Sequence, residues 1–132
     1  GKAVQLAGGK DVLLVTTGMM LSNTLKAAKA LEDQGIRASV LHSPTVKPLD
    51  SQAILDLAAT CKAVVTVENH LTAGGLGSAV AELLGDQLPL PLKRVGVADT
   101  FAAPGSPEYL FERYGLDATS IVNAAVASKM VR

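Results

Sequence analysis

An acid, an amide and a histidine follow an apolar run within the segment Val64–Leu84, which reads VVTVENHLTAGGLGSAVAELL. Glu68 and His70 are residue types that transfer protons near neutral pH, so the pair could act as a general acid and base. A carboxylate at a strand end can instead accept hydrogen bonds from exposed backbone amides and organise the following loop. We favour this structural interpretation for Glu68, with Asn69 and His70 as parts of the same loop.

The next part of the segment is rich in small residues that let a backbone approach closely: Gly74, Gly75, Gly77 and Ser78. Glycines before a helix expose its first amides, which can bind an anion. The spacing fails as a dinucleotide fingerprint, because the loop is too long and Val80 stands where a third Gly or Ala belongs. In that minor alternative Asp99 would bind a ribose. We expect either an anion-binding loop or, preferably, a tight loop packed against a neighbouring surface.

Other candidate residues have simpler interpretations. Cys61 follows Ile54 and Ala58 at helical spacing, which predicts a small core residue and not a nucleophile. His42 has no obvious partner, and no set of residues has metal-ligand spacing.

The four aromatic residues are all in one stretch near the C-terminal end: Phe101, Tyr109, Phe111 and Tyr114. Aromatic side chains supply rigid buried area at interface centres, but local packing of a short helix explains them equally well. Both alternatives stay open.

The composition predicts one compact domain in 132 residues, with 48% apolar content. Twelve basic residues balance twelve acidic ones, which argues against nucleic acid or a membrane surface as a partner. A single cysteine suits a reducing compartment, so we expect a cytoplasmic protein. The sequence starts at Gly1 without Met, and we expect residues 1–132 to be a domain cut from a longer chain.

Strand-like and helix-like segments alternate along the whole chain. Strands are predicted at Val12–Thr17, Ile36–Leu41, Ala63–Val67 and Lys93–Ala98, with a short edge strand at Val4–Leu6. Helices are predicted at about Met20–Gln34 and Ser51–Cys61, from Leu76 to a stop at Gly85, after Ser106 and Pro107, and after Asp117. Strands joined by helical crossovers lie parallel, which predicts a three-layer α/β/α sandwich.

Single residues refine these predictions. In the first helix Leu21, Leu25, Ala28 and Leu31 form one apolar stripe that should face the core. Gly35 is expected to end that helix, and Asp50 to cap the next one.

The ordered series of motifs resembles the C-terminal domain of the transketolase family of thiamine diphosphate enzymes. The matching segments are GKA, KDVLLVTTG, LKAAKALEDQGI, VLHSPTVKPLD, VVTVENHLTAGGLGSAVAELL, RVGVADTFAAPG and YGLD. The resemblance implies a mostly parallel five-stranded sheet with one short antiparallel edge strand. It also implies a parent enzyme that transfers two-carbon ketol units between sugar phosphates, as in the pentose phosphate reactions, using thiamine diphosphate and Mg²⁺.

The family's diphosphate and metal motif is absent from the chain, where the nearest approach is Gly85-Asp86-Gln87 without the paired Asn that should follow. No catalytic, cofactor-binding or metal-binding residue is therefore carried over, and the fragment alone is not expected to be active. The resemblance implies as partners the pyrimidine- and diphosphate-binding domains of the parent and the second subunit of a dimer.

Two hypotheses follow. The first is a non-catalytic assembly or regulatory domain of a transketolase, or the same domain of deoxyxylulose phosphate synthase or of a 2-oxo acid dehydrogenase beta subunit. The parent could be one long chain or the shorter half of a split enzyme. The second is an autonomous α/β module that binds an anionic or phosphorylated effector at the loop Gly74–Ser78.

Overall fold

A computed structural model describes residues 2–17, 20–44, 46, 48–71, 75–97 and 117–130, without the side chains of residues 69–71, 97, 129 and 130. The strands are β1 (Val4–Ala7), β2 (Val12–Thr16), β3 (Ala38–His42), β4 (Ala63–Leu71) and β5 (Leu92–Val97). The helices are α1 (Leu21–Asp33), α2 (Ser51–Ala58), α3 (Leu76–Gln87) and α4 (Ala118–Met130). Asp99, the four aromatic residues and the helix predicted after Ser106 lie outside the described residues.

The five strands form one mixed sheet in the order β1-β3-β2-β4-β5. The pairs β2 with β3, β2 with β4 and β4 with β5 are parallel, and only β1 pairs antiparallel, with β3. The β1 strand is therefore one edge of the sheet and β5 is the other. The predicted sandwich with an antiparallel edge strand is confirmed.

Helices cover both faces of the sheet because β2, β3 and β4 are apolar on both sides. Val12 and Leu14 of β2 point to the face covered by α1 and α4, while Leu13 and Val15 point to the face covered by α2 and α3. All four side chains are fully buried. The result is two apolar cores separated by the sheet.

Three predicted helix termini are confirmed, two by side-chain hydrogen bonds and one by its backbone conformation. Asp50 Oδ1 accepts from the amide of Ala53 at 3.3 Å, and its Oδ2 accepts from the amide of Ala3 at 2.9 Å. The Ala3 amide, followed by that of Ala53, lowers the pKa of the Asp50 carboxyl. Asp117 Oδ1 caps α4 by accepting from the amide of Ser120 at 3.0 Å. Gly35 follows α1 with φ of 79°, a conformation that favours glycine.

The structure corrects several predicted boundaries. Strand β4 continues past Val67 to Leu71, so Glu68, Asn69 and His70 belong to a strand and not to a loop. Helix α3 continues through Gly85 to Gln87, since an exposed glycine weakens a helix without ending it. Helix α2 ends at Ala58 and not at Cys61. The buried residues of α1 are Thr24, Ala27 and Leu31, whereas Leu25 is 38% exposed. The apolar stripe predicted for this helix is therefore partly wrong.

Among the described residues, none of the helices combines the length and the apolar character that crossing a membrane requires.

Candidate functional site

Glu68 lies on the part of β4 that extends beyond the predicted strand, where the pairing with β5 becomes irregular. Val67 pairs with Val95 and Leu71 with Val97, so three residues of β4 stand opposite the single residue Gly96. Such an irregularity bends a strand and changes the direction of its side chains. Because side chains alternate along a strand, Glu68 follows Val64 and Thr66 on the face covered by α3.

The carboxylate of Glu68 binds the first turn of α3. Its Oε1 accepts from the amide of Leu76 at 2.8 Å, and its Oε2 accepts from the amide of Gly77 at 2.6 Å. The N-cap residue, Gly75, has no side chain that could accept these bonds. Glu68 therefore caps the helix from eight residues earlier in the chain.

Burial makes these two hydrogen bonds important. Glu68 is 1% exposed, and an ionised carboxylate removed from water is costly unless it is hydrogen-bonded. Two backbone donors and the positive end of the helix dipole are suitable partners for the negative charge. The arrangement thus fixes the start of α3 to the end of a central strand, which is the structural role that the sequence favoured.

Gly77 lets the start of α3 lie directly on the sheet. A Cβ atom at this position would be 3.0 Å from Thr66 Oγ1 and 3.0 Å from Arg94 Cδ. Thr66 is fully buried on β4, and Arg94 is on β5. The close approach that the glycines suggested therefore occurs at Gly77, between α3 and the two strands below it.

This contact lies where open α/β sheets usually bind ligands. After β2 the chain passes through α1 on one face of the sheet, and after β4 it passes through α3 on the other face. The two connections therefore diverge between the carboxyl ends of the adjacent strands β2 and β4. The amide of Thr17 donates to the carbonyl of Val67 at 3.3 Å across this point. Beside this point, the amides of Leu76 and Gly77 already donate to the side-chain carboxylate of Glu68. An external anion on these amides would have to displace Glu68.

The structure brings together only some of the predicted site residues. Glu68, Gly75 and Gly77 meet at the start of α3, and Ser78 follows in the same turn. Gly74 and the side chains of Asn69 and His70 lie outside the described part, so an anion-binding or interface role for this loop stays a prediction. Sequence reasoning missed Thr66 and Arg94. The two-residue spacing of Thr66 and Glu68 is the signal that could have placed Thr66 on the same face.

The remaining candidates do not join this site. His42 ends β3 and is half-buried. Cys61 is 7% exposed in the core beneath α2 and α3, and burial raises the pKa of its thiol. The prediction that Cys61 is a core residue is confirmed. Within the described ranges, no three His, Cys, Asp or Glu side chains lie together as metal ligands.

Comparisons with known proteins show what this chain is similar to. The family model described as "Transketolase, C-terminal domain" matches residues 1–121. The chain is 51% identical to the 6-deoxy-6-sulfo-D-fructose transketolase subunit SqwH of Clostridium sp. (strain MSTE9) over 125 residues, which cover 95% of this chain and 39% of that subunit. It is 38% identical to 1-deoxy-D-xylulose-5-phosphate synthase of Halothermothrix orenii over 128 residues, covering 96% of this chain and 20% of that enzyme.

A solved structure supports the same fold. The chain superposes on a protein described as "Split gene transketolase, inactive beta4 tetramer" with a TM-score of 0.92 and 42% sequence identity. The match covers 97% of this chain and 42% of that chain. The chain thus spans less than half of the length of each of these proteins.

Proposed function

Because the chain belongs to the transketolase family and matches its C-terminal domain over residues 1–121, we propose that it is a non-catalytic assembly domain. In this proposal the parent enzyme transfers two-carbon ketol units between sugar phosphates, and thiamine diphosphate supplies the carbanion chemistry when bound elsewhere in that enzyme. The partners of this domain are the pyrimidine- and diphosphate-binding domains of the parent and a second subunit. The parent acts in the cytoplasm.

The bond between Glu68 and α3 is the observation that carries the proposal. The helix start at the ligand-binding position of an α/β sheet is used here to hold the domain's own layers together. A buried carboxylate with both oxygens bonded to backbone amides is a structural cap and has no substrate-facing atom in this arrangement. The geometry therefore favours a scaffold over an effector-binding module.

The described residues also do not fit the family's cofactor. Thiamine diphosphate with Mg²⁺ needs carboxylate and carbonyl ligands for the metal and donors for the diphosphate. The described residues offer no cluster of three acidic or other metal-ligating side chains, and Glu68 occupies the amides of Leu76 and Gly77 at the start of α3. The proposal accordingly places cofactor binding in other parts of the parent.

We further propose that the parent is the shorter subunit of a split enzyme. The 51% identity is to a protein named as a subunit, and the structural match is to a split-gene transketolase. The identity to the 1-deoxy-D-xylulose-5-phosphate synthase of Halothermothrix orenii, of which the chain covers only 20%, is 38%. Purification of the parent polypeptide would test this: it should be active with ketose donors only after a separate subunit that contains the diphosphate-binding domain is added.

Calorimetric titration of the 132-residue chain tests the assembly role. The chain should show a cooperative melting transition, and thiamine diphosphate with Mg²⁺ should neither release heat nor raise the melting temperature. The parent enzyme reconstituted with its partner is the positive control. Micromolar cofactor binding by the chain alone, or turnover of ketose donors by it, would refute the proposal.

A further inference from the structure

Asp50 joins two segments that are distant in the sequence, the start of β1 and the start of α2. Its Oδ2 accepts from the amide of Ala3, 47 residues earlier and just before β1, and its Oδ1 accepts from the amide of Ala53 in the first turn of α2. The same two amides lower the pKa of the carboxyl, so it is ionised at neutral pH and both bonds are charge-assisted. One carboxylate therefore serves an edge strand and a helix cap at the same time.

The strand β1 is short and lies at the surface. Three of its four residues are exposed and the fourth is half-buried. It pairs with one neighbour, β3, and that pairing shifts between Gln5 and Ala7. After its far end, Ser39 Oγ on β3 donates to the carbonyl of Gly9 at 2.6 Å and accepts from the amide of Gly9 at 2.9 Å. The bond from Ala3 to Asp50 is the matching attachment at the start of β1.

The segments on the two sides of Asp50 cover the same core. Ala3 on one side, and Val46 and Leu49 on the other, pack against the apolar cluster beneath α2 and α3. Release of either segment would expose part of this shared apolar surface to water, which is unfavourable. Segments that share buried contacts tend to open as one cooperative unit. The common core therefore couples the two segments in addition to the two hydrogen bonds.

We propose that Asp50 is a latch, through which the start of β1 and the first turn of α2 open and close as one unit. When Ala3 leaves, Asp50 loses the bond that orients its carboxylate, and when the first turn of α2 frays, Asp50 moves away from Ala3. Such coupling is reciprocal, so any contact that holds β1 in place also stabilises the start of α2. The inference goes beyond the assembly role proposed above and does not depend on it.

The variant Ala3→Pro removes one of the two donors without changing Asp50 or α2, because proline has no backbone N–H. In the 132-residue chain, amide exchange measured by NMR should become at least tenfold faster at residues 4–7 and at residues 53–54. Faster exchange at residues 4–7 alone would show that the segments open independently, and unchanged rates would show that the Ala3 bond holds neither; both results overturn the latch. Equal acceleration throughout β2 would mean global unfolding and would overturn it as well.

The variant Asp50→Asn tests the same unit at its centre. Asparagine caps helices as well as aspartate does, but its one acceptor oxygen can serve only one of the two amides, because its NH₂ group would meet the other. A latch predicts at least tenfold faster exchange in both segments, whereas independent segments would leave one of them at its original rate. Asp56→Asn, the same change at an exposed position of α2, is the control and should leave both rates unchanged. Equal acceleration by the two variants would attribute the effect to lost charge and overturn the proposal.

Discussion

The carboxylate of Glu68 accepts the hydrogen bonds that a side chain at the cap position of α3 would normally accept. Gly75 cannot supply an acceptor, and Gly77 must lack a side chain to lie against Thr66. A helix start with neither acceptor would leave two amides without partners in a buried place, which is costly. Glu68, on the neighbouring strand β4, supplies the acceptors that Gly75 lacks and allows position 77 to remain a glycine.

Replacing Glu68 by glutamine tests this role. Glu68→Gln keeps the shape but presents a donor group to one of the two amides, so the free energy of unfolding should fall by about 1–3 kcal/mol. Urea denaturation measures the change, and Glu82→Gln on the exposed side of the same helix is the control, expected within about 0.5 kcal/mol of the original chain. Equal stability of Glu68→Gln and the original chain would contradict the capping role.

At the scale of elements, α3 and the strands β4 and β5 are joined by close approach as well as by hydrogen bonds. The two glycines of α3 differ in their surroundings: a Cβ at Gly77 would meet Thr66 Oγ1 and Arg94 at 3.0 Å, whereas a Cβ at Gly85 would have nothing within 4 Å. The same substitution should therefore act in opposite directions at the two positions.

Gly85→Ala should raise the free energy of unfolding by about 0.5–1 kcal/mol, because alanine is the better helix former. Gly77→Ala should lower it by about 1 kcal/mol or more, because Thr66 is buried and cannot move away, although the Arg94 side chain can. Denaturation of both variants under the same conditions provides the comparison. A gain in stability for Gly77→Ala would show that α3 can move off the sheet at little cost.

At the scale of the whole molecule, the sheet separates two cores, and Cys61 reports on the opening of one of them. Its side chain lies in the core beneath α2 and α3, and its Sγ is 3.6 Å from the carbonyl oxygen of Gly9. Burial raises the pKa of the thiol, so less of the reactive thiolate is present at mildly alkaline pH.

Alkylation of Cys61 by iodoacetamide should be slowed roughly a hundredfold or more relative to an exposed thiol, since the core must open before reaction. Thr60→Cys combined with Cys61→Ala places a thiol at the adjacent exposed position and provides the reference rate. Mass spectrometry follows both reactions over time. Similar alkylation rates for the two thiols would mean that the core around Cys61 opens readily.

The sequence alone determined the alternation of strands and helices, the layered architecture, the edge strand and the family. The strands, helices and layers follow from local patterns: apolar periodicity, β-branched runs, and capping residues such as Asp117 and Gly35, each of which acts within a few residues of its own position. The family and the antiparallel direction of the edge strand follow from the resemblance of the ordered motif series.

Only the tertiary structure decided what Glu68, Gly77 and Leu25 do. Glu68 becomes a cap because β4 extends to Leu71 and α3 folds back over it, and Gly77 meets Arg94 only because β5 lies beside β4. Leu25 has the helical spacing of a core residue but lies at the margin of the buried face, which is set by where α1 sits on the sheet. These outcomes depend on contacts between distant parts of the chain, and local periodicity carries no information about them.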